Sequence, residues 1–558
     1  MFSRHYPHWP PGLPKTLSLP QTSLCFNLEV SARRYPDKRA FVFYGGELTY
    51  ARLKAEVEAL AGYLQQECGI ARGDRVVLYA QNSPQFVIAY YAILRADAVV
   101  VPANPMVKAE ELAHYVEDSD ARVIIAAQEL WTHVEPFAGR CLARCVLAAY
   151  SDYIDPATDL PVPEFVHAAP LDPGRAGVAL WREALGKKLE PAEPVARDTD
   201  LAVLPYTSGT TGKPKGCILT HRNLLATTTG GLAWGGFTSE GVGLGVLPLF
   251  HLTGMQASMN QTIQLGASSV LMTRWDRDCA AQLIERYRVT SWTAITTMVV
   301  DFLANPKLAR YDLSSLQRIG GGGAAMPEAL AQRIEQVFGL QFVEGYGLTE
   351  TAAPSHCNPM HRPKRQCGGI PFINTDARVL EVETRRECGP NEVGEIVVDG
   401  PQVFRGYWKQ PKATEEAFLE HDGKRFFRTG DLGYYDDEGY FFITDRLKRM
   451  INCSGFKVWP AEVEAMLYAH PDIQEACVIG TRDAHRGETV KAVVVLKAPA
   501  QGRVQSEDIV AWAREKMAVY KAPRVVQFVE ALPKTATGKI FWRKLQEDEN
   551  RRAGTEAE

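Results

Sequence analysis

Residues 206–216 combine several hydroxyls, three glycines and two lysines, and they follow an apolar run at 201–204 that predicts a short buried strand. Glycines let a backbone approach a ligand and turn its N–H groups towards it, and lysines add positive charge. This chemistry suits a polyphosphate. The stretch differs from the Walker loop, which requires glycine five residues after Gly209, where this chain has proline. A surface turn of the same composition is the alternative. The candidate binding residues are Thr207, Ser208, Gly209, Thr210, Thr211, Gly212, Lys213 and Lys215.

Two further stretches could bind a nucleotide. The first, Gly-Gly-Gly-Ala-Ala-Met-Pro at 321–327, has small side chains that would let a flat ring lie against the backbone. The second is Glu-Gly-Tyr-Gly-Leu-Thr-Glu-Thr at 344–351. There Tyr346 can stack on adenine, Thr349 can bond a phosphate oxygen and Glu350 can hold magnesium. A glycine-rich hinge and a buried tyrosine followed by a helix cap are the structural alternatives.

Two motifs lie nearer the C-terminus. Phe-Arg-Thr-Gly-Asp at 427–431 ends in Asp431, whose carboxylate can accept hydrogen bonds from two neighbouring hydroxyls. Leu-Pro-Lys-Thr-Ala-Thr-Gly-Lys-Ile at 532–540 contains Lys539, a point charge that could offset negative charge in a transition state. Taken singly, the first could be a turn cap and the second a surface lysine.

In this order, the motifs resemble those of the adenylate-forming superfamily, which includes acyl-CoA synthetases, amino-acid adenylation domains and luciferases. The resemblance runs from about residue 24 to about residue 545. It implies a ligase that joins a carboxylic acid to the α-phosphate of ATP, with magnesium, and then passes the acyl group to the thiol of coenzyme A. It also implies that Asp431 binds ribose and that Lys539 is brought in by a mobile lid for adenylation. Further positions carried over from the family are Gly323, Ala324 and Ala325 as walls of the adenine and acyl sites, Arg446 towards ribose or phosphate, Lys448 at the hinge, and Gly455 and Lys457 in the loop beside the pantetheine path.

The resemblance bears on the acid as well. Amino-acid adenylation domains carry an aspartate where this chain has His251, so an α-amino acid is disfavoured. The expected acyl pocket contains no Lys or Arg to face a second carboxylate, which favours a fatty-type monocarboxylic acid. An aryl acid of the benzoate or cinnamate type is the runner-up. The pocket residues are Trp234, Phe250, His251, Met298, Phe302 and Gly322.

The thiol acceptor is inferred from the C-terminus. Too few residues follow Lys539 for a carrier-protein domain, so coenzyme A is the expected acceptor. An acyl-AMP ligase that loads a separate carrier protein and a non-enzymatic ATP-binding scaffold are the rival hypotheses.

Composition and charge argue against several other classes of function. A net charge of −4, from 62 basic and 66 acidic residues, makes nucleic acid an improbable main partner. The eleven cysteines lack metal-type spacing, and no stretch is apolar for long enough to span a membrane. We therefore expect a cytoplasmic enzyme. The oligomeric state is open, with a homodimer among the options.

The strand and helix pattern predicts an α/β protein. Apolar strands at 75–79, 98–101 and 122–126 alternate with helices such as 84–95, which favours stacked, mostly parallel sheets. The family adds a small barrel-like subdomain and a small α+β lid. We expect an N-terminal domain at 1–445, a hinge at 446–450 and a lid domain at 451–558. The proline-rich stretch 146–198 is predicted to be an irregular surface connection.

Overall fold

The apolar segments predicted as buried strands form two large, mainly parallel sheets in the computed structural model. The structure describes residues 1–207, 214–323, 325–446, 449, 451–453, 456–483, 487–535 and 540–555, without the side chains of 446, 452, 456–457, 487 and 553–555. The predicted α/β class is confirmed.

Sheet A has nine strands. Its central strands are parallel, and antiparallel strands lie at both edges. In spatial order the strands are Ile370–Pro371, Ala353–Cys357, Phe342–Leu348, Arg318–Gly322, Ser291–Ala294, Val242–Gly245, Ser268–Leu271, Arg39–Phe43 and Gly46–Thr49.

Sheet B has seven strands, all parallel to their neighbours except the first edge strand. In spatial order they are Leu219–Thr220, Leu201–Val203, Val99–Pro102, Arg75–Tyr79, Val123–Ala127, Arg144–Ala148 and Val178–Leu180. The last strand lies within 146–198, which was predicted to be an irregular surface connection, so that prediction was wrong for this part of the chain. This stretch contributes an edge strand and the helix Trp181–Gly186, whose buried Trp181 side chain covers the sheet.

Sheet C is a smaller antiparallel sheet that matches the expected barrel-like subdomain. Its strands are Asp376–Leu380, Gly394–Asp399, Lys424–Tyr435 and Phe418–His421, and Phe441–Arg446 also pairs with Lys424–Tyr435. Sheet D lies in the C-terminal part and consists of Phe456–Val458, Ile451–Cys453, Gly487–Leu496, Ile473–Asp483 and Val525–Phe528. The short strands Tyr206–Thr207 and Lys215–Gly216 pair with each other.

Helices cover the sheets, and their sequences explain where they begin. In the helix Tyr50–Gln66 an apolar stripe that includes Leu53 and Val57 is buried, as its three- and four-residue spacing requires. The Thr49 hydroxyl caps the start of this helix by accepting a hydrogen bond from the Arg52 N–H at 3.3 Å. The other α-helices are Phe26–Arg34, Pro84–Arg95, Ala109–Ser119, Trp131–Val134, Glu164–His167, Trp181–Gly186, His221–Gly235, Leu252–Gly254, Gln261–Leu265, Arg277–Tyr287, Thr296–Leu303, Glu328–Phe338, Pro411–Glu416, Pro460–Leu467, Ser506–Lys516 and Trp542–Thr555.

The hydrophobic core is divided. One large cluster fills the space around sheets A and B, and a separate cluster from Ile451 to Ile509 lies under sheet D. Each cluster can therefore stabilise its own part of the chain. Among the described residues, none of the helices is both long and apolar enough to cross a bilayer.

Candidate functional site

A cleft of about 1400 Å³ lies at the carboxyl end of sheet A. Open α/β sheets generally bind ligands at this edge, where loops leave the strands. Segments distant in the sequence meet there, and so does the C-terminal part of the chain. The lining includes Tyr206, Thr207, Lys215, Gly320 to Gly323, Glu344 to Glu350, Tyr407, Arg428 to Gly430, Lys534, Thr535, Phe541 and Trp542.

The two strands that flank the predicted phosphate loop end at this cleft. Thr207 pairs with Lys215 in register, and both line the cleft. The Tyr206 hydroxyl donates to the Asp118 carboxylate at 2.7 Å, which ties this hairpin to the helix Ala109–Ser119. Burial, and then the Asp118 carboxylate, raise the pKa of the Tyr206 phenol. The predicted loop residues Ser208, Gly209, Thr210, Thr211, Gly212 and Lys213 lie outside the described residues.

Tyr407 contacts both Glu350 and Lys215, which lies in this hairpin. Its hydroxyl donates to a Glu350 carboxylate oxygen at 2.9 Å, and the Lys215 Nζ lies 5.0 Å from the centroid of its ring. A cation over an aromatic face is attracted by the ring's negative centre. Tyr407 thus holds a carboxylate and an ammonium group at one side of the cleft. Sequence reasoning missed this residue. The available signal was its place in Phe-Arg-Gly-Tyr-Trp at 404–408, where three aromatic residues are interrupted by an arginine and a glycine.

Tyr346 and Asp431, predicted to contact adenine and ribose, lie together. The Tyr346 hydroxyl donates to the Asp431 carboxylate at 2.6 Å, and Asp431 is buried. Gly430 has a φ of +69°, a conformation that glycine adopts without strain and that turns the chain just before Asp431. Arg446 pairs with Asp431 in register across sheet C, which places the backbones of these two residues side by side. Thr349 and Glu350 begin a short 3₁₀ helix at the end of the Tyr346 strand.

The glycine run at 320–323 has a structural reason besides any contact with a ligand. A Cβ at Gly321 would lie 1.9 Å from the Ala294 carbonyl oxygen, and one at Gly322 would lie 2.3 Å from the Gly345 carbonyl oxygen. Side chains there would push neighbouring parallel strands apart. Gly323 has a φ of +90° and lines the cleft. Ala325 is exposed and does not line the cleft. Ala324 lies outside the residues that the structure describes.

Glu344 is a buried carboxyl group at the cleft that sequence reasoning passed over. The Met326 N–H donates to one of its oxygens at 2.7 Å. Burial raises the pKa of Glu344 to about 7, because transfer out of water disfavours the charged form. The group can therefore hold a proton near neutral pH.

The predicted acyl pocket is only partly as expected. Trp234, Phe250 and His251 line the cleft, and the Trp234 indole N–H donates to the Asn358 carbonyl at 3.0 Å. Met298 and Phe302 do not line it. Phe302 is fully buried, and its ring centroid lies 5.0 Å from that of Trp292. The helix Thr296–Leu303 turns the face with Met298 and Phe302 into the core, so the structure does not bring these two residues to the cleft.

The remaining predicted residues lie in the C-terminal part. Lys448, Gly455 and Lys539 are outside the described residues, and the side chain of Lys457 is not described. Lys534 and Thr535, which precede Lys539, and Phe541, which follows it, line the cleft. Asp445 accepts a hydrogen bond from the Ala461 N–H at 2.9 Å, which ties the last strand of sheet C to the first turn of the helix Pro460–Leu467.

Fold and site together define a nucleotide-binding enzyme in which a C-terminal unit faces a cleft at the edge of a parallel sheet. Family models give the class a name: the AMP-binding enzyme model matches residues 28–408, and the model of the AMP-binding enzyme C-terminal domain matches residues 462–539.

Individual relatives agree with the family models. A long-chain-fatty-acid–CoA ligase of Bacillus subtilis (strain 168) is 38% identical over 97% of this chain and 97% of its own length. A feruloyl-CoA synthase of Amycolatopsis sp is 36% identical over 91% of this chain and 96% of its own length. A solved anthranilate CoA ligase in complex with anthranoyl-AMP superposes with a TM-score of 0.85 at 25% identity, over 96% of this chain and 99% of that one.

The chain belongs to the AMP-binding enzyme family. The predictions of an adenylate-forming enzyme of the acyl-CoA synthetase branch and of an AMP-forming acid–thiol ligase are confirmed.

Proposed function

We propose that this enzyme activates a fatty-type monocarboxylic acid with ATP and transfers the acyl group to coenzyme A. One observation carries the choice of acid: from the carboxyl ends of the central strands of sheet A, the cleft continues along these strands to their amino ends. It is lined by Gly322 at the carboxyl end of one strand and by Arg318 at the amino end of the same strand. The expectation that this part of the cleft contains no arginine was therefore wrong, although the Arg318 guanidinium lies 4.7 Å from the centroid of the Phe237 ring and donates to the Gly236 carbonyl at 3.4 Å. Four residue steps along a strand span about 13 Å. A long alkyl chain would use this length.

Small residues keep open the part of the cleft that lies between the helix His221–Gly235 and sheet A. Gly231 and Gly235 of the helix His221–Gly235 line one side, and Gly243 and Ser291 of sheet A line the other. Larger side chains at these positions would narrow the space between helix and sheet. Apolar burial favours each methylene of a bound chain by about 0.8 kcal/mol. The name of the Bacillus relative agrees with this assignment.

The first half-reaction would use the nucleotide side of the cleft. Asp431 would accept hydrogen bonds from the ribose hydroxyls, Tyr346 would contact adenine, and Lys215 would balance phosphate charge. The substrate carboxylate attacks the α-phosphorus, the bond to the leaving oxygen breaks, and pyrophosphate departs. Lys539 would offset the charge that builds on the α-phosphoryl group.

Glu350 fits the magnesium ion that the family implies. Its carboxylate lines the cleft, and the Tyr407 hydroxyl orients it. Hard oxygen ligands of this kind are those that Mg²⁺ prefers, and the ion, when bound, would neutralise phosphate charge. His251 would flank the acyl pocket close to the carboxylate.

The second half-reaction would follow a turn of the C-terminal unit about a hinge at 446–450, with domains at 1–445 and 451–558. The thiol of coenzyme A attacks the acyl carbon, the bond to AMP breaks, and the thioester forms. Gly455 and Lys457 would lie beside the pantetheine arm. A rotation of this kind would let two chemistries share one cleft. Magnesium dependence, a cytoplasmic location and a homodimer stay predictions.

The test measures AMP release with saturated acids of increasing length and with benzoate- and cinnamate-type acids, each with and without coenzyme A. We expect release to require both acid and coenzyme A and to be fastest with alkyl acids. Faster turnover of aryl acids would favour the second candidate, an aryl-CoA ligase, which the feruloyl-CoA synthase relative supports. Adenylate formation without any thioester on coenzyme A would instead indicate an acyl-AMP ligase that loads a carrier protein.

A further inference from the structure

Residues 2–17, here called the N-terminal strap, are fixed against the rest of the molecule at both ends. The Phe2 N–H donates to the buried Asp376 carboxylate at 2.8 Å. At the other end the Leu17 N–H donates to the Asn374 side chain at 3.0 Å, and the Asn374 amide donates back to the Leu17 carbonyl at 2.8 Å. The strap is therefore held against the rest of the fold by hydrogen bonds at both ends.

The middle of the strap packs against Trp234. The ring centroids of Trp9 and Trp234 lie 5.0 Å apart with an interplanar angle of 83°, an edge-to-face contact that aromatic pairs favour. Both rings are buried, with exposures of 9% for Trp9 and 8% for Trp234. The Trp9 indole N–H donates to the Leu13 carbonyl at 3.0 Å, which fixes the ring within the strap.

Trp234 is thus held by three neighbours. Asn358 accepts its indole N–H, Phe372 lies 5.3 Å away and lines the cleft with it, and Trp9 lies behind it. Trp9 does not line the cleft, so it can affect a ligand only through residues that do, and the ring it contacts there is that of Trp234. Without Trp9, the hydrogen bond and the Phe372 ring would remain, and the indole could pivot into the vacated space.

We propose that Trp9 is a positioning residue that sets the longest acid the enzyme accepts. By packing against Trp234, it keeps that ring in the side wall of the acyl part of the cleft, on the same helix as Gly231 and Gly235, so that moving the ring would give the alkyl chain more room. The strap thereby becomes a determinant of chain length, although it touches neither ATP nor the acid. This inference rests on the proposed acid–CoA ligase function and adds to it a residue that limits the chain length of the acid.

The experiment compares kcat/KM across saturated acids of increasing even chain length for the wild type, Trp9→Ala and Trp9→Phe, in the full chain with ATP and coenzyme A. We expect Trp9→Ala to move the optimum to longer acids, since each additional buried methylene adds on the order of fourfold in kcat/KM. The KM for ATP should stay unchanged. Trp9→Phe keeps a ring edge against Trp234 and should restore most of the wild-type profile.

Phe2→Ala is the matched control. Phe2 is a buried aromatic residue of the same strap, but its ring packs on Tyr435 at 4.9 Å and on Phe441 at 5.3 Å, not on Trp234. We expect Phe2→Ala to lower the melting temperature and leave the length profile as in the wild type. Trp234→Ala should lengthen the accepted chain, and adding Trp9→Ala to it should change the profile no further.

Each outcome is decisive. An unchanged optimum in folded Trp9→Ala overturns the proposal, and so does an equal shift in Phe2→Ala, because that would reflect loosening of the whole strap. If Trp9→Ala fails to fold, Trp9→Leu replaces it, with the same profile as the criterion. Failure of the proposed function is distinguishable, because the wild type itself would then release little or no AMP with the saturated acids used for the length profile.

Discussion

Replacing Tyr407 with phenylalanine tests whether the Glu350 carboxylate must be held in place for ATP to be used. The change deletes one hydroxyl and keeps the ring. It removes the 2.9 Å hydrogen bond to Glu350, while the ring that lies 5.0 Å from the Lys215 ammonium stays in place. We expect a selective loss in the use of ATP and magnesium.

The size of the loss follows from the hydrogen bond. Bonds to charged groups contribute about 1.5–3 kcal/mol, and since this pair is partly exposed, water will replace part of it. A net cost of about 1–2 kcal/mol corresponds to a roughly 5- to 30-fold fall in kcat/KM for ATP. The fall should be largest at low magnesium concentration and should shrink as magnesium is raised, because a better-populated metal site compensates for a less well oriented ligand.

The assay is pyrophosphate release at varied ATP and magnesium concentrations. Tyr435→Phe is the matched control: Tyr435 is buried and donates to the Cys388 carbonyl at 2.8 Å, and it is not among the residues that line the cleft. It should lose stability and keep its activity. A kcat/KM for ATP within twofold of the wild type in Tyr407→Phe, at every magnesium concentration, would refute the reasoning.

Three further predictions concern the residues assigned to nucleotide binding, the buried Glu344 and the predicted adenylation lysine. Tyr346→Phe and Asp431→Asn should each raise the KM for ATP. Because the two groups share a 2.6 Å hydrogen bond, the loss of ATP binding free energy in the double variant should be smaller than the sum of the two single losses by about 1–2 kcal/mol. Strictly additive losses would argue against this coupling. Burial raises the pKa of Glu344 from 4.5 to about 7, so the folded chain binds more protons than the unfolded chain between these values. The resulting stability is present at low pH and is lost as pH rises through the folded pKa, at most about 3 kcal/mol. Melting temperatures measured below and above this window should therefore fall with rising pH in the wild type and change less in Glu344→Gln; an equal slope in both would contradict this cause. Lys539→Ala should lose adenylate formation but still convert supplied acyl-AMP and coenzyme A to the thioester, and an equal loss of both half-reactions would count against a lysine dedicated to adenylation.

Local patterns in the sequence predicted much of the fold. The strands at 75–79 and the helix at 84–95 form with the predicted bounds, because apolar periodicity and a proline at the first helical turn are short-range signals. The strand Val178–Leu180 was missed, since its three residues form a strand only by pairing with Arg144–Ala148 at the edge of sheet B. The place of Phe302 could not be predicted for a related reason: an apolar helix pattern identifies a buried face but does not say whether that face meets a ligand or the core.

The sequence by itself determined the chemistry this chain can perform, because its hydroxyls, carboxylates and lysines occur in a specific order within short segments. Only the tertiary structure decided which groups meet: Tyr407 with Glu350, Tyr346 with Asp431, and Trp9 with Trp234. Sheet register and packing, which depend on the whole chain, bring these residues together across long sequence separations. The raised pKa of Glu344 has the same origin, because burial is a property of the surroundings and not of the residue.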